Sequence, residues 1–245
     1  MNFWQDGAVM CGRFSLTLPA EAIGRLFGVD VEKAPMLEAR YNIAPSQPIA
    51  AIRRHEESGE RELAFLQWGF VPGWARDPGS MSQPINARGE TVEAKPMFRE
   101  AFRKRRCLIP ADGFYEWKRS VGGKQPWRIE RADGAPFAFG GLWDRWQGRD
   151  GKVIESCAII TTDANEAMRP IHDRMPLILN IGRFGPWLEG SLVEASDLIE
   201  PWDGELAYYP VSRRLNDPTH DDAGLIEPAT PAADEPPAPE EPWLL

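Results

Sequence analysis

The chain has 245 residues, of which 42% are hydrophobic and 27% charged, a composition typical of globular proteins that excludes a collagenous or wholly disordered chain. Its net charge of -9 lies mostly after Arg214, where eight acidic and no basic residues occur, so residues 1–214 are nearly neutral and a nucleic-acid partner is not excluded. No apolar run approaches the roughly 18 residues of a membrane helix, and residues 1–10 lack the pattern of a secretory signal.

Short strands dominate the predicted secondary structure. Pro19 and Gly28 bound a first helix that carries Ile23, Leu26 and Phe27, and further short helices are predicted over 96–104, 183–189 and 195–199. Runs of β-branched and aromatic residues bounded by Gly, Pro or Asp predict strands over 62–71, 126–130, 136–143, 155–162, 175–179 and 206–211. Helices and strands do not alternate regularly, which favours an α+β fold with a largely antiparallel, barrel-like sheet.

We expect a single folded domain over residues 11–226. Residues 1–10 form a leader, and residues 227–245 are rich in Pro, Ala and acid, a composition that predicts a disordered tail. No internal repeat or second linker divides the chain. The three cysteines, Cys11, Cys107 and Cys157, are odd in number and have no metal-like spacing, so we expect a reducing cytoplasm, no disulfide scaffold and no metal. The usual signatures, such as GxGxxG after a strand or GxxxxGK followed by Ser or Thr, do not occur, so we expect no cofactor.

Cys11 stands out because it follows Met10 directly. Translation from Met10 with removal of the initiator would leave Cys11 at the amino terminus, with an α-amine of pKa about 8 next to a thiol. These two nucleophiles can attack one aldehyde in succession and close a five-membered thiazolidine ring. The alternative interpretation of an isolated cysteine is a small buried hydrophobic residue, which suits Cys107 and Cys157 well.

Nine motifs, in this order and spacing, make the chain resemble the SOS response-associated peptidase (SRAP) family from Met10 to about Ile226. They are MCGRF at 10–14, RYNIAPSQ at 40–47, WGFVPGWA at 68–75, NARGET at 86–91, RCLIPADGFYEW at 106–117, GLW at 141–143, TTDAN at 161–165, IHDRMPLIL at 171–179 and PVSRRLN at 210–216. The resemblance implies binding of abasic sites in single-stranded DNA, covalent crosslinking through an amino-terminal cysteine, and autoproteolytic exposure of that cysteine.

The resemblance also implies roles for individual residues. Cys11 matches the nucleophile, Glu116 of DGFYEW the catalytic glutamate and His172 of IHDRMP the catalytic histidine, while Asn86 of NARGET would hold the Cys11 amino terminus and the opened sugar. A carboxyl and an imidazole in a partly desolvated site can move the protons that imine formation requires. The expected activity is that of a thiol-dependent autopeptidase and a lyase-like crosslinking enzyme.

Seven residues are predicted to contact DNA. Arginines two residues from predicted catalytic positions suit flanking phosphates, and tryptophans of WGFVPGWA suit stacking on unpaired bases. Family members often have a basic residue where this chain has Pro96, and Lys95 is the candidate replacement. The predicted set is Arg13, Trp68, Trp74, Arg88, Lys95, Thr161 and Arg174.

Two alternatives remain open from the sequence: a thiol peptidase that acts in trans, and a non-catalytic single-stranded DNA-binding module. The leader has two explanations as well, because either Met10 is the true start or the protein cuts itself between Met10 and Cys11. We expect a monomer without a membrane partner, located in the cytoplasm and associated with the nucleoid when bound to abasic single-stranded DNA.

Overall fold

The computed structural model of the chain describes residues 11–31, 37–120 and 123–230. The predicted leader, residues 1–10, and most of the predicted tail, residues 231–245, lie outside the described residues. The start of the tail is described: Pro228 pairs with Val211, and the Ala229 N–H donates to the carbonyl oxygen of Pro210 at 2.8 Å.

The described residues form thirteen strands and four α-helices. The strands are β1 Phe14–Leu16, β2 Arg40–Ile43, β3 Pro48–Arg54, β4 Arg61–Trp68, β5 Asn86–Arg88, β6 Arg106–Ala111, β7 Gly113–Ser120, β8 Gly123–Arg131, β9 Phe137–Gln147, β10 Val153–Asp163, β11 Arg174–Pro176, β12 Ile178–Leu179 and β13 Leu206–Pro210. The helices are α1 Ala20–Phe27, α2 Arg99–Lys104, α3 Ile181–Glu189 and α4 Leu192–Asp197, and short 3₁₀ turns cover Pro78–Ser80, Gly89–Thr91, Arg213–Asn216 and Ala223–Leu225.

Five strands close into a barrel in the order β10-β4-β3-β6-β9, because β9 pairs back onto β10. All of these pairings are antiparallel except that of β4 with β10. Aromatic side chains fill the interior, and Phe14 lies edge-on against Trp68 and Phe139, with ring centroids 5.3 and 5.6 Å apart. The predicted α+β fold with a largely antiparallel barrel is confirmed.

A second sheet, with the strand order β13-β8-β7-β1-β2, is antiparallel throughout. In it Phe14 of β1 faces Phe114 of β7, and the Tyr115 N–H donates to the carbonyl oxygen of Arg13 at 3.0 Å. Continuing this antiparallel register toward the start of the chain places Gly12 opposite Glu116, and so brings the preceding residue, Cys11, next to Glu116. The register of β1 on β7 therefore sets the position of the predicted nucleophile.

Short strands along β10 carry further predicted site residues. β5 runs parallel to β10, with Asn86 facing Ile159 and Arg88 facing Thr161, whereas β11 is antiparallel and places Arg174 opposite Asp163. The strand predicted over 175–179 is divided into β11 and β12 at Leu177, whose N–H and carbonyl bond to Ile160 and Gly140 on two different strands.

The helices follow the predicted pattern. In α1 the side chains of Ile23 and Phe27 are buried, and Gly28 ends the helix at a φ of 68°, a left-handed conformation that glycine adopts readily. Phe27 stacks on Phe184 of α3, with centroids 4.8 Å apart, which packs the two helices against each other. In the described part of the chain, no helix is long and apolar enough to cross a bilayer.

Candidate functional site

Cys11 and Glu116 form the centre of the candidate site. The Cys11 backbone nitrogen donates a hydrogen bond of 2.6 Å to Oε1 of Glu116, and Cys11 is fully buried while Glu116 is 3% exposed. Cys11 has a φ of 43°, a backbone conformation that is uncommon for a residue with a Cβ atom. The structure therefore places two of the four predicted catalytic residues in direct contact.

Burial shifts the pKa of both groups. It raises the pKa of Glu116 to about 8, even though the Cys11 N–H stabilises the charged carboxylate, and the carboxylate of Asp173 raises it further. It also holds the pKa of the Cys11 thiol well above its usual value, with Glu116 contributing in the same direction. The site consequently contains a protonated carboxyl and a protonated thiol at neutral pH.

His172 joins this centre through the residue that follows it. Burial lowers the pKa of His172, and its Nδ1 accepts the Arg174 backbone N–H at 3.0 Å, an arrangement that leaves the ring hydrogen of the neutral imidazole on Nε2. Nδ1 also lies 2.8 Å from Oδ1 of the exposed Asp173, which favours the protonated ring, but burial outweighs this effect. Asp173 thus acts on both His172 and Glu116.

Asn86 lies in the wall of an open cleft of about 440 Å³. Arg88 and Lys95 contribute exposed cations to it, and Met97 and Phe98 contribute apolar surface. This arrangement brings together three of the predicted site residues, Asn86, Arg88 and Lys95, in a groove that offers both positive charge and an apolar wall.

Arg174 lies in a dense network rather than open to solvent. Its guanidinium binds both carboxylate oxygens of Glu90, with an NH2–Oε2 distance of 2.9 Å, and NH1 is 2.7 Å from Oδ1 of Asp163. NH2 also donates to the Thr161 carbonyl oxygen at 2.8 Å and contacts its Oγ1 at 3.2 Å. Thr161 is 3% exposed and reaches the site through Arg174. Glu90 and Asp163 were not among the predicted site residues, although they belong to the motifs NARGET and TTDAN.

Arg13 contacts the segment that follows β13. NH1 donates to Oδ1 of Asn42 at 2.7 Å and to the Leu215 carbonyl at 2.8 Å, and the guanidinium lies 5.9 Å from the centre of the Trp117 ring. Burial lowers the pKa of Arg13. In this structure the residue fastens the 213–216 turn to the segment that leads into β1, and its predicted contact with DNA stays a prediction.

The two tryptophans of WGFVPGWA have opposite environments. Trp68 ends β4 inside the barrel, is fully buried, and donates from Nε1 to the Ile85 carbonyl at 3.0 Å, so the prediction that it stacks on DNA bases is wrong. Leu66 and Phe70 are equally buried, and this alternation was readable in the sequence. Trp74, by contrast, lies on the following loop and is 58% exposed.

Among the described residues, no group of three His, Cys, Asp or Glu side chains is arranged to hold a metal ion.

Comparisons with known proteins agree on one family. The family model of the SOS response associated peptidase (SRAP) matches residues 10–218. The abasic site processing protein YoaM of Bacillus subtilis is 40% identical over 89% of this chain and 98% of its own length. The abasic site processing protein YedK of Escherichia coli is 32% identical over 89% of this chain and its full length.

Solved structures show the same architecture. A crystal structure of a protein from Bacteroides thetaiotaomicron superposes with a TM-score of 0.80 at 28% identity, covering 90% of this chain and all of that one. A protein from Bordetella bronchiseptica gives a TM-score of 0.72 at 31% identity, covering 82% of this chain and all of that one.

Proposed function

The chain belongs to the SOS response-associated peptidase family, and from this membership we propose that it processes abasic sites in single-stranded DNA by forming a covalent crosslink through Cys11. Relatives that match it over nearly their whole length are named abasic site processing proteins. The observation that carries the proposal is the 2.6 Å hydrogen bond between the Cys11 nitrogen and Glu116, because it places a proton-bearing carboxyl beside the nitrogen that must react.

The proposed reaction consumes the aldehyde of the ring-opened abasic sugar. The α-amine of Cys11 adds to the aldehyde carbon, and the resulting hydroxyl leaves as water to give an imine. The thiol sulfur then adds to the imine carbon while its proton passes to nitrogen, which closes a thiazolidine. Burial raises the pKa of Glu116, so this carboxyl can carry the proton that releases water, and neutral His172 can accept a proton.

Cys11 must have a free amine for this chemistry. With residues 1–10 attached its nitrogen is an amide, which neither takes up protons nor forms an imine. Initiation at Met10 with loss of the initiator would free it. Self-cleavage would do the same: the Cys11 thiol attacks the Met10 carbonyl carbon, the C–N bond breaks as nitrogen takes the thiol proton, and water hydrolyses the thioester.

Single-stranded DNA is the proposed partner because the cleft lined by Asn86 combines the charges of Arg88 and Lys95 with an apolar wall. Phosphates next to the lesion would contact these cations, and the exposed ring of Trp74 would stack on an unpaired base. Such contacts need a splayed backbone, so duplex DNA should react poorly.

A thiol peptidase acting in trans is less well supported. Such enzymes begin by thiolate attack and so need a cysteine with a depressed pKa, whereas burial holds the pKa of the Cys11 thiol well above its usual value. In the crosslinking reaction the amine, not the thiol, makes the first attack.

A denaturing gel tests the proposal. Protein beginning at Cys11 should give a heat-stable, slowly migrating species with an abasic single strand and none with an intact strand. Cys11→Ser should lose this species but keep noncovalent binding, and His172→Ala should form it slowly. Cys107→Ala, which removes another buried free thiol, should leave it unchanged. A heat-stable adduct with Cys11→Ser, or its absence with the parent protein, would refute the proposal, and binding without any adduct would leave a non-catalytic binding module.

A further inference from the structure

We propose that Asp163 occupies the one position on the Arg174 guanidinium where a DNA phosphate can bind, and that this carboxylate thereby limits affinity for single-stranded DNA. The inference rests on the proposed function, since it takes single-stranded DNA as the ligand. It adds a residue that tunes binding at that same site.

Most N–H groups of the Arg174 guanidinium already have a hydrogen-bond partner. A guanidinium has five N–H groups, two on each terminal nitrogen and one on Nε. The two on NH1 point to Glu90 and Asp163, and the two on NH2 point to Glu90 and the Thr161 carbonyl. Nε is buried, and none of the described residues accepts a hydrogen bond from it. A phosphate oxygen must therefore displace an existing partner.

Asp163 is the partner that is easiest to displace. Glu90 binds both terminal nitrogens in a bidentate pair, and the Thr161 carbonyl belongs to the buried part of β10. Asp163, in contrast, makes one contact of 2.7 Å to Arg174, and its side chain is 78% exposed. It can rotate into solvent without breaking the sheet, because the pairing of its backbone with Arg174 does not depend on its carboxylate.

The negative charge of Asp163 should weaken the binding of single-stranded DNA. Two carboxylates surround one guanidinium, so the three side chains of Arg174, Glu90 and Asp163 carry a net charge of -1, and the exposed carboxylate of Asp163 repels a phosphate that approaches Arg174. Every DNA strand must overcome this repulsion before it contacts Arg174, whether or not it carries a lesion. An abasic strand recovers the cost through its covalent bond to Cys11, whereas an intact strand dissociates. Asp163 thus weakens the binding of intact DNA strands, which cannot form the crosslink, and in this way increases specificity for abasic strands.

Asp163→Asn tests the inference because it removes the charge and keeps the shape. Binding is measured by fluorescence anisotropy over a range of salt concentrations, with a labelled intact single strand and with one containing a tetrahydrofuran abasic analogue, which has no aldehyde. Both strands should bind about threefold more tightly to the variant, and the plot of log affinity against log salt should steepen by about 0.7, the value for one added single-strand phosphate contact.

Asp133→Asn is the matched control, since Asp133 is also an exposed aspartate paired with an arginine, Arg131, outside the candidate site. It should leave both affinity and slope close to those of the parent protein. The gain from Asp163→Asn should disappear in an Arg174→Met background. An equal gain from Asp133→Asn, or a gain that persists without Arg174, would overturn the inference while the proposed function stands. Failure of the parent protein to bind either strand would instead overturn the proposed function and this inference with it.

Discussion

Glu116 combines complete burial with an ionisable group, so the stability of the folded chain should depend on pH through this residue. Its pKa is about 8 in the folded state and near 4.5 when exposed. Between these values the folded state holds one more proton than the unfolded state, so the free energy of unfolding falls as pH rises through this window.

Glu116→Gln should remove this dependence, because the carboxamide resembles the protonated carboxyl and does not ionise. From pH 5 to pH 8 the free energy of unfolding of the parent should fall relative to that of the variant, at about 1.4 kcal/mol per pH unit. The difference between the two proteins should therefore change by up to about 4 kcal/mol over this range, in favour of the variant. Denaturant unfolding at the two pH values measures the difference, with the exposed Glu57→Gln as the charge control. Identical pH dependence in parent and Glu116→Gln would contradict the burial argument.

The loop that carries Trp74 is held to the barrel by hydrogen bonds from two strands, β9 and β10. Asp144 of β9 accepts the Gly73 N–H at 2.8 Å, Ser156 of β10 accepts the Val71 N–H at 2.8 Å, and Trp146 donates to the Ala75 carbonyl at 2.7 Å. These bonds hold the backbone on both sides of Trp74 in place before any ligand arrives, which lowers the entropic cost of ordering the loop when its ring stacks.

Gly73→Ala should displace this loop, because a Cβ atom there would lie 2.8 Å from the Arg145 carbonyl oxygen. We expect affinity for single-stranded DNA to fall by about 1–3 kcal/mol, as it should for Trp74→Ala, and the double variant to lose little more than either alone. Anisotropy with an intact strand measures this. Gly182→Ala, whose nearest neighbour would be 3.4 Å away, should bind normally. Additive losses would show that Gly73 does not act through Trp74.

Local patterns in the sequence predicted the elements well, but not the contacts between distant segments. The helix that ends at Gly28 and the strand that contains Leu66 and Trp68 follow from spacing and turn residues within a few positions. The carboxylates on Arg174, by contrast, come from positions 84 and 11 residues away and meet it only because β5 and β11 both pair with β10. Glu116 was predicted as a site residue from the family resemblance, not from a local pattern. The antiparallel register of β1 on β7 explains its contact with Cys11.

The acidic carboxy-terminal segment of the chain should slow the association of the whole molecule with DNA. Truncation after Thr230 removes Asp234, Glu235, Glu240 and Glu241 while it keeps the contacts of Pro228 and Ala229 with the β13 segment. We expect unchanged unfolding and crosslinking, with faster association at low salt that converges with the full chain at high salt. Stopped-flow measurements over a salt series test this, and a truncation after Glu227 reports separately on the lost contacts. A salt-independent change in rate would contradict the electrostatic argument.

The first ten residues decide whether the whole molecule can react. While they are attached, the Cys11 nitrogen is an amide hydrogen-bonded to Glu116, and the thiol alone can give no more than a reversible hemithioacetal with an aldehyde. Protein expressed from Met1 should therefore form heat-stable adducts only after losing residues 1–10. An intact mass that begins at Cys11 would show that the chain loses these residues by processing, whereas the full mass would favour Met10 as the start. Cys11→Ala should keep the full mass if the Cys11 thiol performs the cleavage, whereas Cys157→Ala, which removes a buried thiol elsewhere, should be processed like the parent. An uncleaved chain that nevertheless forms a heat-stable adduct with abasic DNA would rule out the thiazolidine, because no ring can close on an acylated nitrogen that cannot first form the imine.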